Sequence, residues 1–292
     1  MVRSSSKVEK KEDDVEAQKT YSKTLTVSQF AKFIDHYGPV REDDLDDKQV
    51  RAELEVAKEY NVRSVCVRPD SMRMAYDALQ GTDIIVCAVL GHPFIEDETV
   101  RGKFDDALFS ILAGAHEIDL IPCHMSVILR EWADVQWEIL NVNNAVTSSG
   151  ATMNVVMEDK ILDDKHRKKV AKICRSNGIP CVGIWPGSCS ALQDDNTDRE
   201  VVARHVQAVR KGLRGSARAK VACCLYDVSD AVYHIANGAH RLGTVDTAML
   251  MDGVQQWVEK GEPLEIWIGP NQYKMTFKKD PIELVDEATQ TD

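Results

Sequence analysis

The chain has 292 residues, of which 43% are apolar, and its formal net charge is −11. This length allows one large barrel or two ordinary domains, and the acidic balance argues against a nucleic-acid-binding surface, which needs clustered Lys and Arg. No run of 18 apolar residues occurs and the polar N-terminus is unlike a secretory signal, so no membrane span and a cytoplasmic location are expected. The eight cysteines lie mostly in apolar runs without a C-x-x-C pair, which is typical of reduced, packed thiols rather than a zinc ribbon.

The N-terminal segment, residues 1–24, is charged and poor in apolar side chains, so we expect it to be disordered. A helical pattern begins at Thr26 and leads into a first strand at 33–36, which a polar loop follows.

From residue 47 onward, helical and strand patterns alternate. The helical patterns cover 47–60, 70–79, 99–113, 126–147, 163–177, 198–211, 228–237 and 246–259, and strands are predicted at 64–67, 84–90, 117–121, 153–157, 181–185, 220–225 and 240–243. The strands are short, apolar and rich in β-branched residues, as expected for parallel strands buried on both faces. With the strand at 33–36, eight strands alternate with eight helices, which predicts an α/β fold, a (β/α)8 TIM barrel over 25–260. An open doubly wound sheet is the alternative, but no G-x-G-x-x-G motif supports nucleotide binding by such a sheet.

The C-terminal extension covers 261–292. Its segments LEIWIG (264–269) and YKMTF (273–277) are separated by a Pro-Asn-Gln turn, so we predict a β-hairpin outside the barrel.

Polar residues at the strand ends are the candidates for chemistry, because barrel sites gather there. Asp119 interrupts an apolar strand and Lys220 opens another. Each has a structural interpretation, a hydrogen-bonded Asp and a solvated edge Lys, but if Lys220 points inward then Asp119 is its natural partner. No metal is expected, since the spacings of His36, His92 and His124 match no metal signature.

Several segments resemble the deoxyribose-phosphate aldolase family: AKFIDHY (31–37), SVCVRPDSMRMAYDALQGTDIIVCAVLGHP (64–93), GAHEIDLI (114–121) and GAHRLGT (238–244). The resemblance spans about 31–250. It implies a class I aldolase on a TIM barrel, which cleaves 2-deoxyribose 5-phosphate to glyceraldehyde 3-phosphate and acetaldehyde without a metal or cofactor. In that family a lysine on the sixth barrel strand forms a Schiff base, a second lysine on the seventh depresses its pKa, and an aspartate on the fourth relays protons.

Carried over residue by residue, the resemblance places Asp119 at the proton-relay position and Lys220 at the second lysine. The Schiff-base lysine falls on Gly183, and a lysine of the fifth strand falls on Asn154. Strand alternation puts Trp185 on the same face as Gly183, one step nearer the barrel mouth, where its indole would fill substrate space or pack beneath a loop.

The phosphate site of the family also differs here. Cys223 and Cys224 replace a Gly-Gly pair, and Gly243, Thr244 and Asp246 are what remains of the turn after the last strand. We expect Asp246 to cap the next helix, where its charge would repel a phosphate.

The resemblance and these departures predict a catalytically inactive relative, retained as a protein-binding or scaffolding barrel, with an unidentified partner and a possible homodimer. The alternatives are a residual or altered class I aldolase that uses Lys220, and a different small-molecule site in the mouth for an uncharged ligand.

Overall fold

The computed structural model describes residues 18–40, 45–91, 99–158, 162–185, 199–222, 225 and 227–281. Within these ranges the strands are β1 (Thr20–Thr26), β2 (Ile34–His36), β3 (Ser64–Val67), β4 (Ile85–Leu90), β5 (Glu117–Leu120), β6 (Thr152–Glu158), β7 (Cys181–Trp185), β8 (Arg218–Ala222), β9 (Arg241–Thr244), β10 (Leu264–Ile268) and β11 (Asn271–Lys278).

Strands β2 to β9 form a closed barrel in chain order. Every neighbouring pair is parallel, and β9 closes the barrel by pairing with β2, Leu242 lying opposite Ile34. Strands β3, β5 and β9 are buried along their whole length, which explains why they appear in the sequence as short runs rather than alternating patterns. The predicted (β/α)8 barrel is confirmed.

Helices connect the strands and cover the barrel. They are α1 (Val27–Ala31), α2 (Asp47–Glu59), α3 (Met72–Ala78), α4 (Val100–Leu112), α5 (His124–Ile128), α6 (Trp132–Ser148), α7 (Asp164–Ser176), α8 (Arg199–Leu213), α9 (Val228–Ala236) and α10 (Thr247–Lys260). None of the helices in the described ranges is long and apolar enough to cross a bilayer.

The single helix predicted over 126–147 is wrong, because α5 and α6 are separate helices. Arg130, between them, has a left-handed φ of 62°. Its guanidinium donates hydrogen bonds to His166 Nε2 (3.2 Å) and to Asp163 Oδ2 (3.3 Å) at the start of α7. These contacts stabilise a turn at Arg130, although the local sequence pattern would also be compatible with a continuous helix.

A small sheet lies outside the barrel, with strand order β1-β11-β10. The antiparallel β10–β11 pair confirms the predicted hairpin. Strand β1 runs parallel to β11, with Thr20 opposite Gln272, so the expectation of disorder is wrong for residues 20–24. Their side chains are exposed, and the backbone ladder with β11 orders them together with the stacking of Tyr21 on Tyr273. Residues 1–17 lie outside the described residues.

Candidate active site

The interior of the barrel contains a layer of paired charges. It consists of three acids and three bases from four strands and from the residue before β3: Asp35, Glu117, Asp119, Arg63, Lys220 and Arg241. The formal charges cancel (−3 + 3 = 0), as burial demands, since an unpaired ion inside a protein is costly.

Lys220 lies in the middle of β8, and its side chain is fully buried. Its Nζ is 2.6 Å from Asp119 Oδ2 and 3.0 Å from Asp35 Oδ2, which confirms the predicted pairing with Asp119 and adds a second partner. Burial by itself would lower the pKa of Lys220, but the two carboxylates outweigh it and hold that pKa above its usual value. Lys220 is therefore a protonated cation in this site.

Asp119 accepts hydrogen bonds from three side chains. Besides Lys220, the Tyr37 hydroxyl donates to Oδ2 (2.5 Å) and Asn154 Nδ2 donates to Oδ1 (2.8 Å). Burial favours a raised pKa for Asp119, but Lys220 and Arg241 overcome it, so the carboxyl stays ionised. The pKa of the Tyr37 phenol is raised well above its usual value by burial and by Asp119, which keeps the hydroxyl a donor.

Below this pair, nearer the starts of the strands, Arg241 joins the remaining acids. Its Nε and Nη2 contact Asp35 at 2.8 and 2.9 Å, and Nη2 also contacts Glu117 at 2.9 Å. Arg63 completes the layer through Glu117 at 2.7 Å. The sequence analysis missed both arginines because its candidates came from the C-terminal ends of the strands, whereas Arg63 and Arg241 lie where strands begin. A signal existed in Glu117, which stands two residues from Asp119 and so shares its face.

Gly183 lies directly opposite Lys220 on β8 and opposite Val156 on β6. A Cβ at Gly183 would be 3.5 Å from Lys220 Cβ and 3.2 Å from Val156 Cγ2, so the missing side chain belongs to the interior face. The position that the resemblance assigns to the nucleophile is thus in the charged interior without a functional group.

Above Lys220, described residues form an apolar cluster. Trp185 and Tyr37, each half-buried, pack against a cluster formed by Val40, Cys66, Cys87, Val89, Ile121 and Val156. Trp185 therefore lies on the interior face, as strand alternation predicts.

The residues assigned to a phosphate site are only partly within the described ranges. Cys223 and Cys224 lie outside them. Gly243 is covered by Tyr37, whose Cε2 would be 2.8 Å from a Cβ at that position. The predicted capping role of Asp246 is wrong: it stands at the N-cap position of α10, but its side chain makes no capping hydrogen bond. Its ψ of 52° departs from the extended cap conformation, and Thr244 Oγ1 instead accepts its backbone N–H at 3.1 Å.

Potential metal ligands are brought together once among the described residues. Atoms of Cys66, Cys87 and Asp119 lie within 4.8 Å of one another. The Asp119 oxygens are already occupied by ammonium, hydroxyl and amide donors, and burial raises the pKa of the Cys87 thiol, which opposes a thiolate ligand. Of the histidines, His36 contacts Thr247 and Glu53, His124 contacts Glu158, and His92 lies outside the described residues.

Comparison with known proteins identifies the family. No family model matches the chain. The deoxyribose-phosphate aldolase of Caldanaerobacter subterraneus subsp. tengcongensis is 28% identical over 244 residues, 82% of this chain and 98% of that protein. The aldolase of Staphylococcus haemolyticus is 30% identical over 158 residues, 54% of this chain and 70% of that protein. The tetrameric deoxyribose phosphate aldolase of Aeropyrum pernix shares the fold, with a TM-score of 0.67 and 20% identity over 79% of this chain and 92% of that one. The chain belongs to the deoxyribose-phosphate aldolase family.

Proposed function

We propose that this chain is a family member without Schiff-base aldolase activity, retained as a protein-binding or scaffolding barrel. The observation that carries the proposal is the pairing inside the barrel: Gly183 replaces the nucleophile, and Lys220 opposite it is held between two carboxylates.

Schiff-base formation needs a neutral amine that a carbonyl carbon can approach. At an ordinary pKa of about 10.4, fewer than about one lysine in a thousand is neutral at pH 7. Asp119 and Asp35 push the pKa of Lys220 further in the unreactive direction. Its Nζ also lies 4.8 Å from the centre of the Tyr37 ring, so this ring covers the ammonium on a further side. Lys220 is therefore poorly suited to replace the missing nucleophile.

The surroundings of the site support the same conclusion. Among the described residues, the apolar cluster and Trp185 lie beyond Lys220, whereas a sugar phosphate requires polar donors. Tyr37 covers Gly243, which opposes close backbone approach to a phosphate.

One observation favours the alternative of a residual or altered class I aldolase: Lys220 and Asp119, both carried over from the family, are in direct contact at 2.6 Å. Reductive trapping separates the two functions. The protein is incubated with 2-deoxyribose 5-phosphate or acetaldehyde, treated with borohydride and analysed by intact mass and peptide mapping. A family aldolase serves as the positive control, and Lys220→Met gives the background from surface lysines.

We expect wild type and Lys220→Met to give the same labelling. Rapid labelling of Lys220 that is lost in Asp119→Asn would overturn the proposal in favour of the alternative. In a second test, Gly183→Lys should not restore cleavage of 2-deoxyribose 5-phosphate, since the apolar cluster and Trp185 remain. Substantial turnover by this variant would contradict our view that the whole site has changed.

The outer surface provides a place for a binding role. Neighbouring helices α4 and α6 expose large apolar side chains, Phe109 and Leu112 on α4 and Trp137 and Leu140 on α6. Apolar side chains exposed together are typical of protein contact surfaces.

A second copy of this chain is the occupant we expect. Light scattering should then give twice the mass of one chain, and Leu112→Ser with Trp137→Ser should give the mass of one. A single-chain mass for wild type would exclude the homodimer.

A further inference from the structure

A groove of about 510 Å³ lies at the end of the barrel opposite the mouth. Ala217 and His240, which line it, directly precede β8 and β9, so it opens where these strands begin. Its other walls come from the last turns of α8 and α9 and from the small sheet. It is therefore separate from the interior charges around Lys220.

The groove is basic in an acidic protein. No Asp or Glu occurs between Glu200 and Asp227. Arg210 and Lys211 line the groove, and Arg218 acts with Arg210 on the charge state of His240. Within the part of the chain that the structure describes, these three cationic side chains form no ion pair or hydrogen bond.

Part of this charge has a structural explanation, because cations in the last turn of a helix complement its dipole. The C-terminal ends of α8 and α9 together contribute about one negative charge at most. Arg210 and Lys211, the two exposed cations of the lining, therefore leave a positive excess of about one charge at the groove, which favours an anionic ligand.

Local contacts place two of the groove's donors, Arg210 and His240. Gly238 has a φ of 99°, and a Cβ there would collide with the Arg210 guanidinium, so the glycine allows this side chain to lie across the end of α9. His240 Nδ1 accepts the Ala219 N–H at 3.1 Å, which leaves Nε2 as the protonated nitrogen of the neutral ring. Burial, Arg210 and Arg218 lower the pKa of His240, so the ring is a neutral donor near pH 7.

The remaining walls are apolar. Ile268 and Tyr273 contribute from the small sheet, and the Tyr273 ring is fixed by stacking on Tyr21 with centroids 4.9 Å apart. A concave site of this volume with cations on one side and an apolar wall on the other is typical of small-molecule binding. Arg and Lys are the side chains most used to hold phosphate groups.

We propose that this groove binds a small organic phosphate, with the phosphate at Arg210, Lys211 and His240 and an apolar or aromatic group against Ile268 and Tyr273. The site lies outside the barrel mouth, so the proposal holds whether or not the barrel retains aldolase activity.

Calorimetric titration of the full chain with ADP, and separately with inorganic phosphate, tests the proposal. We expect ADP to bind, inorganic phosphate to bind at least about tenfold more weakly, and both to weaken as salt is raised. Arg210→Gln and Lys211→Gln should each weaken ADP binding by about ten- to a hundredfold, as expected for one charge-assisted hydrogen bond. Arg101→Gln on α4 is the matched control, since it removes the same charge from a distant exposed ion pair.

NMR titration of His240 gives a local readout, because a bound anion offsets the two arginines and should raise the pKa of the ring. Absence of ADP binding at millimolar concentration would overturn the proposal. It would also be overturned by equal weakening in Arg210→Gln and Arg101→Gln, by equal affinities for ADP and inorganic phosphate, or by an unchanged His240 titration.

Discussion

Replacing Lys220 by Met tests whether the charged layer stabilises the barrel. Methionine keeps an unbranched side chain but removes the ammonium, which leaves three buried carboxylates facing two guanidinium groups. With an effective dielectric near 20, the 2.6 Å contact with Asp119 corresponds to about 6 kcal/mol and the 3.0 Å contact with Asp35 to about 5.5 kcal/mol.

Most of that attraction offsets the cost of removing the ions from water, so the net effect of the substitution is smaller. Removing one partner of a buried ion pair typically costs about 3–5 kcal/mol, because the other charge remains buried and uncompensated. Against a total stability of about 5–15 kcal/mol, Lys220→Met should lose a large part of its free energy of unfolding.

Urea unfolding followed by circular dichroism measures this loss as a lower midpoint at unchanged slope. Lys168→Met is the matched control, since Lys168 is partly exposed and 3.7 Å from Asp164, and it should lose less than about 0.5 kcal/mol. Lys220→Met combined with Asp119→Asn should be at least about 1 kcal/mol more stable than Lys220→Met alone, because the buried charge is removed with its partner. A free energy of unfolding for Lys220→Met within about 1 kcal/mol of wild type, or a double variant no more stable than the single one, would refute this role of Lys220.

Two further predictions concern acid stability and helix caps. The interior carboxylates of Asp35, Glu117 and Asp119 have lowered pKa values in the folded state, so the stability they contribute is present above pH about 4 and is lost as pH falls through those values. The urea midpoint of wild type should therefore drop steeply below pH about 4, and that of Lys220→Met less steeply; equal slopes would contradict the assignment. Among the caps, Asp46 accepts the Gln49 N–H at 2.8 Å whereas the Asp246 side chain makes no such bond. The Asp46→Ala substitution should cost about 1 kcal/mol and Asp246→Ala less than about 0.5 kcal/mol, as measured by thermal or urea unfolding.

The barrel could be predicted from the sequence because buried parallel strands leave a local signal. Runs such as SVCV (64–67) are apolar at every position, and helical patterns separate them at regular intervals. Asp119 and Lys220 were found for the same reason, since a charge is conspicuous in such a run. Their direct contact could be expected only if Lys220 points into the barrel, because a strand pattern does not give the direction in which a side chain points.

The features that sequence reasoning missed depend on contacts between distant segments. Strand β1 has polar, exposed side chains, and its partner β11 lies about 250 positions further along the chain. Arg63 enters the charged layer from the residue before β3, where it has the appearance of an ordinary surface side chain. Tyr37, after the end of β2, donates to Asp119 although no pattern in the sequence marks it. In each case the deciding partner is supplied by tertiary structure.

Under the proposed function, the two lysine positions of the family would differ in what their loss costs the fold. Lys220 balances the charges of Asp119 and Asp35, so its removal leaves a buried negative excess. A lysine at Gly183 would place its stem directly beside that of Lys220, and the layer is already neutral without a fourth cation. Such a lysine would add a buried ion and a like-charge neighbour of Lys220, and its Cβ would lie only 3.2 Å from Val156 Cγ2. Under the proposed function, stability would thus favour retention of Lys220 but not of a lysine at the position of Gly183.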